Sequence, residues 1–546
     1  MKSNLIRSAV LILSLSVCSH ALDMQTTYQQ GAPKNIAFNA FMGGSSHHTW
    51  VLSIMETLGK RGHNMSYLTT TEDTRFGQPY DNIKTIDIGP VFSYDKASLS
   101  SDITKSGTSS LDTLVKVTRM MALDYERDYR TLVNYFKFNK IDVVICDYFM
   151  VACVDAANTV KIPFIITSAM DPTTESAAPY INNDILLMND YTTEFQSLIE
   201  RFKNNYILPL QAWYKYRPYV KDMSARRKAL GITSKFQRAE KSWDGSIKLI
   251  NNMFGFTPAR PLGPLVEFVG PILPKKYKPL TPELADYLNS HQRVAYIAFG
   301  QMATPSRHNI LLILTGLFES IEAGFLDGFI WATVNSAEFF PESVTSSSGT
   351  VYQVKDMLDH AHPHARMVKW APQTAILLHT STHVFVSHGG LGSWYESMYS
   401  GTRMIMFPFF GDQFGNALTI ERDNLGGLLK PDASIATAVQ LFKRISEDKN
   451  GVIKENVQRI QALTQIRAQH GTIRGADVVE EVLFTHKDSQ LAHRQSVDRH
   501  MSYIKSHNLD ILAMLLLSLG LVLAFVCYMS CQYYATKFYK QKTKKL

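Results

Sequence analysis

Short apolar runs alternate along this chain with longer stretches whose apolar positions recur every three or four residues. The runs at 35–42 (NIAFNAFM), 65–69, 141–146 (IDVVIC) and 162–167 (IPFIIT) are almost uninterrupted. That pattern suits strands buried on both faces of a parallel sheet. A second series lies at 293–299 (RVAYIAF), 329–334, 366–370, 383–387 (HVFVS) and 404–407. Strand–helix alternation predicts an α/β fold with two doubly wound sheets. The proline-rich stretch 258–282 reads as a linker between domains at 22–257 and 283–450. Two similar halves facing each other place a ligand cleft outside the carboxyl ends of their strands. Beyond 450 the pattern is helical to about 508.

Two further apolar runs stand apart from this alternation. Lys2 and Arg7 precede a short apolar stretch, and Ser19 and Ala21 supply the small-x-small pattern of signal-peptidase cleavage. Residues 1–21 are therefore expected to be a signal peptide. The run 511–529 is long enough, at about 1.5 Å per residue, to cross a ~30 Å hydrocarbon core. A membrane span is expected at 509–531, followed by a cytosolic basic tail at 532–546. Signal and late span together predict a type I protein with its body in the lumen. The ending Lys542-Thr543-Lys544-Lys545-Leu546 resembles a dilysine retrieval signal of endoplasmic-reticulum membrane proteins. Asn64-Met65-Ser66 is an N-glycosylation sequon, which makes the chain a candidate glycoprotein.

Composition narrows the function classes. Of 546 residues, 45% are hydrophobic and 19% charged, which excludes a disordered or fibrous chain. The net charge of +8 is concentrated in Lys2, Arg7 and the tail lysines Lys537, Lys540, Lys542, Lys544 and Lys545. The body is close to neutral, so nucleic acid is not an expected partner. Five cysteines exclude a disulfide scaffold. Cys18 leaves with the signal and Cys527 and Cys531 sit in or beside the span, so Cys146 and Cys153 are expected to be core thiols.

The densest chemistry lies at 385–396, FVSHGGLGSWYE. A strand runs into His388-Gly389-Gly390 and then a helix. Glycines let backbone approach a ligand closely, and a helix N-terminus suits a diphosphate. His388 and Ser393 add donors, and Glu396 can accept the two hydroxyls of a ribose. Asp412 and Gln413 follow the next strand, where an acid–amide pair suits sugar hydroxyls. Upstream, Trp370 offers a face for a flat base, and Gln373 can pair with its edge.

The segment from Trp370 to Gln413 resembles the donor-binding signature of the UDP-glycosyltransferase family, especially its membrane-bound glucuronosyltransferase-like branch. The similarity extends over most of the chain. It implies a GT-B type fold, two Rossmann-like domains facing a cleft, with C-terminal helices and a single transmembrane helix. It implies that Trp370 stacks on uracil, Gln373 contacts the nucleoside and Glu396 holds the ribose. His388, Gly392 and Ser393 would bind the diphosphate, with Gly300 and Gln301 facing it, and Asp412 and Gln413 would hold the sugar. Arg403 stands where the family usually has proline, at the start of a strand, which leaves binding intact. Gln301 stands where many relatives have serine.

The resemblance also implies a catalytic histidine in the loop after the first strand, 16 residues before the histidine of an Arg-Gly-His turn. Arg61-Gly62-His63 places it at His47, with His48 the rival. Its partner would be Asp147, at the end of the strand IDVVICD, whereas Asp142 starts that strand. Histidine suits general-base work near neutral pH, and an aspartate would fix its tautomer. The implied reaction moves a hexosyl group from a UDP-sugar to a small lipophilic acceptor, with inversion. No cofactor or metal is expected, because no His/Asp/Glu cluster with ligand spacing is present in the sequence. Glucuronate and glucose remain open as donor sugars, as do the acceptor and self-association. A UDP-sugar-binding subunit without activity, or a lipid or cell-wall transferase, are the alternatives.

Overall fold

The computed structural model describes residues 27–28, 31–41, 44–91, 111–171, 173–182, 190–237, 239–301, 303–334 and 336–543. The expected signal peptide lies outside them. Lys34–Leu546 form one compact unit, and Met1–Pro33 form another, described only at its end.

The first half contributes β1 (Asn35–Asn39), β2 (Asn64–Thr69), β3 (Ile83–Asp87), β4 (Val143–Asp147), β5 (Phe164–Ser168), β6 (Ile247–Ile250) and β7 (Val266–Phe268). They form one parallel sheet in the order β3-β2-β1-β4-β5-β6-β7. The second half contributes β8 (Val294–Ala298), β9 (Gly328–Ala332), a β10 (Ser343–Thr345)–β11 (Val351–Gln353) hairpin, β12 (Ala365–Val368), β13 (Thr382–Ser387), β14 (Arg403–Met406) and β15 (Gly426–Leu428). Its parallel sheet runs β12-β9-β8-β13-β14-β15. Every residue of β4, β5, β8 and β9 is buried, as uninterrupted apolar runs require when helices cover both faces.

Each sheet reverses its winding once. In the first, the chain moves outward from β1 through β2 to β3, then returns to start again at β4 beside β1. In the second, the reversal falls between β8 and β13. A crevice opens at such a reversal because flanking crossovers leave on opposite faces.

The linker expectation for 258–282 needs correction, because β7 lies inside it and completes the first sheet beside β6. Prolines surround only three extended residues, so no strand-length run stood out. The core-thiol expectation is also corrected: Cys146 and Cys153 are joined by a disulfide. Cys146 lies in β4 and Cys153 in the first turn of the following helix, and the tight turn between them brings their Cα atoms to 5.9 Å.

The chain then crosses back. The helix Val452–Ala468 buries Ile453 and Val457 in the second half's core, but Gly471–Thr485 buries Ala476, Val478, Val479 and Val482 against the first half. Arg61 pairs with both Asp477 and Glu480 at 2.6 Å, and His63 with Glu480 at 3.1 Å. Gly475 lies over Ile54, where a Cβ would fall 2.4 Å from its Cδ1. The last helix, Leu509–Thr543, is exposed over residues 509–541, where its mean hydropathy is 2.7. Among the described residues it is the one helix long and apolar enough to cross a membrane.

Candidate active site

The residues singled out in the sequence gather at the two sheet reversals. His47 sits in the first turn of the helix that follows β1, and Asp147 ends β4, the strand beside it. His47 Nδ1 lies 2.9 Å from Asp147 Oδ2. The other carboxylate oxygen accepts from the Phe149 N–H at 3.1 Å, which fixes the carboxylate plane. Tyr148 and Phe149 stack beside the imidazole at 5.8 and 5.2 Å. With Nδ1 committed to Asp147, Nε2 is the nitrogen left for a substrate proton. Burial disfavours the imidazolium, but the charge and hydrogen bond of Asp147, with Asp412 further off, outweigh it and raise the pKa above 6.5.

His48 is resolved from His47 by position. It is fully buried, bonds Tyr67 Oη at 2.7 Å and stacks on Phe76 at 4.7 Å. Helical geometry turns adjacent residues to different faces, so His47 faces the cleft and His48 the core. Asp142 sits at the far end of β4, where it accepts from the Asn35 N–H at 2.8 Å.

On the opposite side, three neighbouring strands deliver their carboxyl ends together. After β8 comes Gly300, with φ +69°, and Gln301. After β13 come His388, Gly389 and Gly390, and the helix Leu391–Ser400 starts there, presenting Gly392, Ser393 and Glu396. After β14 comes Asp412, followed by the helix Gln413–Arg422. A Cβ on Gly300 would meet the His388 ring at 3.0 Å, and one on Gly390 would meet it at 2.5 Å. These glycines let the imidazole lie flat among the loops. Burial lowers the His388 pKa to about 4, so it offers a neutral N–H at physiological pH.

Glu396 is held by Thr374, whose hydroxyl donates at 2.5 Å, and by the Gln373 amide. Gln373 also donates to Ser393 Oγ at 3.3 Å. Burial raises the Glu396 pKa, and those two bonds offset it only in part. Trp370, 57% exposed, lines the outer end of the same cavity. Asp412 is pushed up to about 6 by burial, against the Asn416 amide that donates to it at 3.0 Å. Gln413 Oε1 accepts from the Phe409 and Phe410 N–H groups at 2.8 and 3.1 Å, which leaves its Nε2 for a ligand.

The halves meet at this point. Gly44, before His47, approaches Gln301, Ser46 approaches Gly392, and Arg75 donates to Gln301 Oε1 at 3.4 Å. Tyr191 reaches over from the first half and donates to Asn416 Oδ1 at 2.7 Å, beside an Asp190–Arg422 pair at 2.6 Å. The helix 391–400 is steadied from the other half by Phe256, edge-on to Trp394 and Tyr395 at 4.7 and 4.8 Å, and by the Tyr395 hydroxyl on Asn251 O at 2.6 Å. One cavity of about 2760 Å³ contains His47, Trp370, His388, Glu396, Asp412 and Gln413. Sequence reading missed Thr374, Asn416, Tyr191 and Arg75. Thr374 and Asn416 lay beside motifs already singled out, whereas nothing local marked the other two. Arg403 starts β14 and donates to the carbonyls of Ile445 and Ser446 at 2.9 and 3.0 Å, at the end of the strand away from the cleft.

A family model described as UDP-glucoronosyl and UDP-glucosyl transferase matches residues 42–545. The chain belongs to the UDP-glycosyltransferase family. A UDP-glycosyltransferase of Phaeomoniella chlamydospora is 29% identical over 74% of this chain and 84% of its own. Human UDP-glucuronosyltransferase 2B7 is 24% identical over 91% of this chain and 93% of its own. Among solved structures, the glycotransferase of kitacinnamycin superposes with a TM-score of 0.56 at 16% identity, over 83% of this chain and 99% of its own. Arabidopsis thaliana UGT89C1 complexed with UDP-L-rhamnose gives 0.55 at 16% identity, over 83% and 100%. The fold of this UDP-glycosyltransferase is thus GT-B, with two facing Rossmann-like sheets. It is a transferase that takes its glycosyl group from a UDP-sugar.

Proposed function

We propose that this transferase moves a hexosyl group, glucuronosyl or glucosyl, to a hydroxyl of a small lipophilic acceptor, with inversion. The observation that carries the reading is the His47–Asp147 pair, 2.9 Å apart and opposite the donor loops. His47 Nε2 takes the acceptor proton as the oxygen attacks the anomeric carbon. Asp147 holds the tautomer and stabilises the imidazolium. The attack comes from the face opposite the diphosphate, through an oxocarbenium-like transition state. Charge developing on the departing UDP is met by the neutral His388 N–H, Ser393 and the N-terminus of the helix 391–400. Trp370 stacks on uracil, Gln373 and Glu396 hold the nucleoside, and Asp412 and Gln413 hold the sugar. Gly300 and Gly392 give the backbone close approach to the diphosphate, with Gln301 beside them. No metal is needed. The body is lumenal, and the helix Leu509–Thr543 anchors it as a type I protein of the endoplasmic reticulum.

The test is UDP release by detergent-solubilised protein. UDP-glucuronate and UDP-glucose are offered in parallel with a mixed phenol and sterol pool, without added metal, beside His47→Ala. Acceptor-dependent release with one donor, lost in the variant, is expected. UDP-sugar binding without acceptor-dependent release would favour a non-catalytic subunit.

A further inference from the structure

Two polar contacts tie the first half to the helix Gln413–Arg422 of the second. Asp190 reaches Arg422 at the end of that helix, and Tyr191 reaches Asn416, about one turn from its start. Both side chains project from a short backbone ladder. In it the Asn182 N–H donates to Tyr191 O at 2.8 Å and the Thr193 N–H to Tyr180 O at 2.9 Å. Ile181 and Thr192 form an antiparallel bridge between them. The ladder belongs to the first half, yet its tip ends beside the carboxylate proposed above to hold the sugar.

Asn416 is fully buried and joins three groups. Its Nδ2 donates to the Gly389 carbonyl at 2.7 Å and to Asp412 Oδ2 at 3.0 Å. A carbonyl and an ionised carboxylate can only accept, so the amide nitrogen has to face them and Oδ1 has to face away. There it accepts from the Tyr191 hydroxyl at 2.7 Å, its one donor among the described residues. Burial pushes the Tyr191 phenol well above its ordinary pKa, so the hydroxyl keeps the proton it donates. The hydrogen bonds thus run from the first half through one buried amide to both the diphosphate loop and the sugar carboxylate.

Without that hydroxyl, Asn416 Oδ1 is a buried acceptor with no donor, a state costly enough to favour rotation of the amide or parting of the halves. Either change frees Asp412. Glu396, by contrast, keeps Thr374 and Gln373, which belong to its own half. We propose that Tyr191 is a positioning residue of the sugar site. Acting through Asn416, it fixes the Asp412 carboxylate from the opposite half, so the hold on the sugar depends on the first half being seated and the hold on UDP does not. This role rests on the reading of Asp412 as a sugar ligand.

Calorimetric titration of the detergent-solubilised full chain with UDP-glucuronate, UDP-glucose and UDP tests this without an acceptor. Tyr191→Phe should weaken the tighter-binding UDP-sugar about ten-fold and UDP less than two-fold. In an Asn416→Ala background the hydroxyl has no amide left to hold, so adding Tyr191→Phe should weaken the UDP-sugar no further. Equal losses for UDP-sugar and UDP would mark Tyr191 as a structural contact only and overturn the proposal. So would an unchanged UDP-sugar affinity in Tyr191→Phe, or the same ten-fold loss in the Asn416→Ala background, which would mean that the tyrosine acts by itself. Asp412→Ala separates the two levels of the reasoning. If it loses affinity for the UDP-sugar but not for UDP while Tyr191→Phe loses neither, the role of Tyr191 falls and that of Asp412 stands. If Asp412→Ala binds the UDP-sugar as the wild type does, both fall.

Discussion

Asp147→Asn is the sharpest probe of the proposed chemistry because it changes charge and proton inventory but hardly any volume. Asparagine keeps an oxygen for the Phe149 N–H, so the local turn survives. Its amide nitrogen then faces His47 as a donor. The imidazole must answer with an unprotonated Nδ1, which puts the proton on Nε2 and removes the base. The lost charge can be sized from the geometry. With 2.9 Å between the bonded atoms, the charge centres lie about 4 Å apart, and at an effective dielectric of ~20 the imidazolium loses about 4 kcal/mol. At about 1.4 kcal/mol per decade this is a ~10³-fold fall in kcat. KM for the UDP-sugar should stay within about two-fold, since Asp147 lies across the cleft from the nucleotide loops. The acid limb of kcat/KM supplies a second readout. Activity needs neutral His47, whose pKa lies above 6.5, so wild-type activity rises with pH through a limb above that value. Removing the carboxylate should move the limb to lower pH. Steady-state UDP release from pH 5 to 9 measures both. A variant within about ten-fold of wild-type kcat, with its acid limb unmoved, would refute the dyad.

Other substitutions separate structure from chemistry. His48→Ala should lower stability by about 1–3 kcal/mol by leaving the buried Tyr67 hydroxyl only its longer bond to the Asp73 carbonyl at 3.4 Å, while kcat per folded molecule is kept, as read by thermal melts beside activity. Trp370→Ala should weaken UDP-sugar binding by about 1–3 kcal/mol with no shift in Tm, because the ring is already exposed; calorimetry reads this. Gly300→Ala adds a Cβ at positive φ, 3.0 Å from the His388 ring, and should raise KM for the UDP-sugar more than it lowers Tm. Reduction of the Cys146–Cys153 bond should cost about 2–3 kcal/mol in denaturant unfolding, the value for so short a loop.

The sequence made parts of this molecule legible where local pattern and three-dimensional role coincide. β4, β8 and β13 are apolar runs because they are buried on both faces, and each ends at the cleft because winding reversals put it there. Other strands carry no such uninterrupted run. β3 is half exposed, so its residues mix Ile83 and Ile86 with Lys84, Thr85 and Asp87. β6 hides a lysine, Lys248, neutralised by Glu175 at 2.6 Å. The choice between His47 and His48 needed a helix phase that depends on where the helix begins. The Tyr191–Asn416 bond spans 225 residues, and no periodicity records it.

The return of the helix Gly471–Thr485 to the first half makes that half discontinuous in the gene product. A fragment ending before the second half would leave Ile54 and Leu58 bare and Arg61 and His63 without Glu480. Chimeras that exchange acceptor halves at a single junction would therefore pair a foreign helix 45–60 with the native Gly475 and Glu480. Such exchanges should succeed only when the 471–485 helix travels with its half, so the unit of modular exchange here is two segments of chain rather than one.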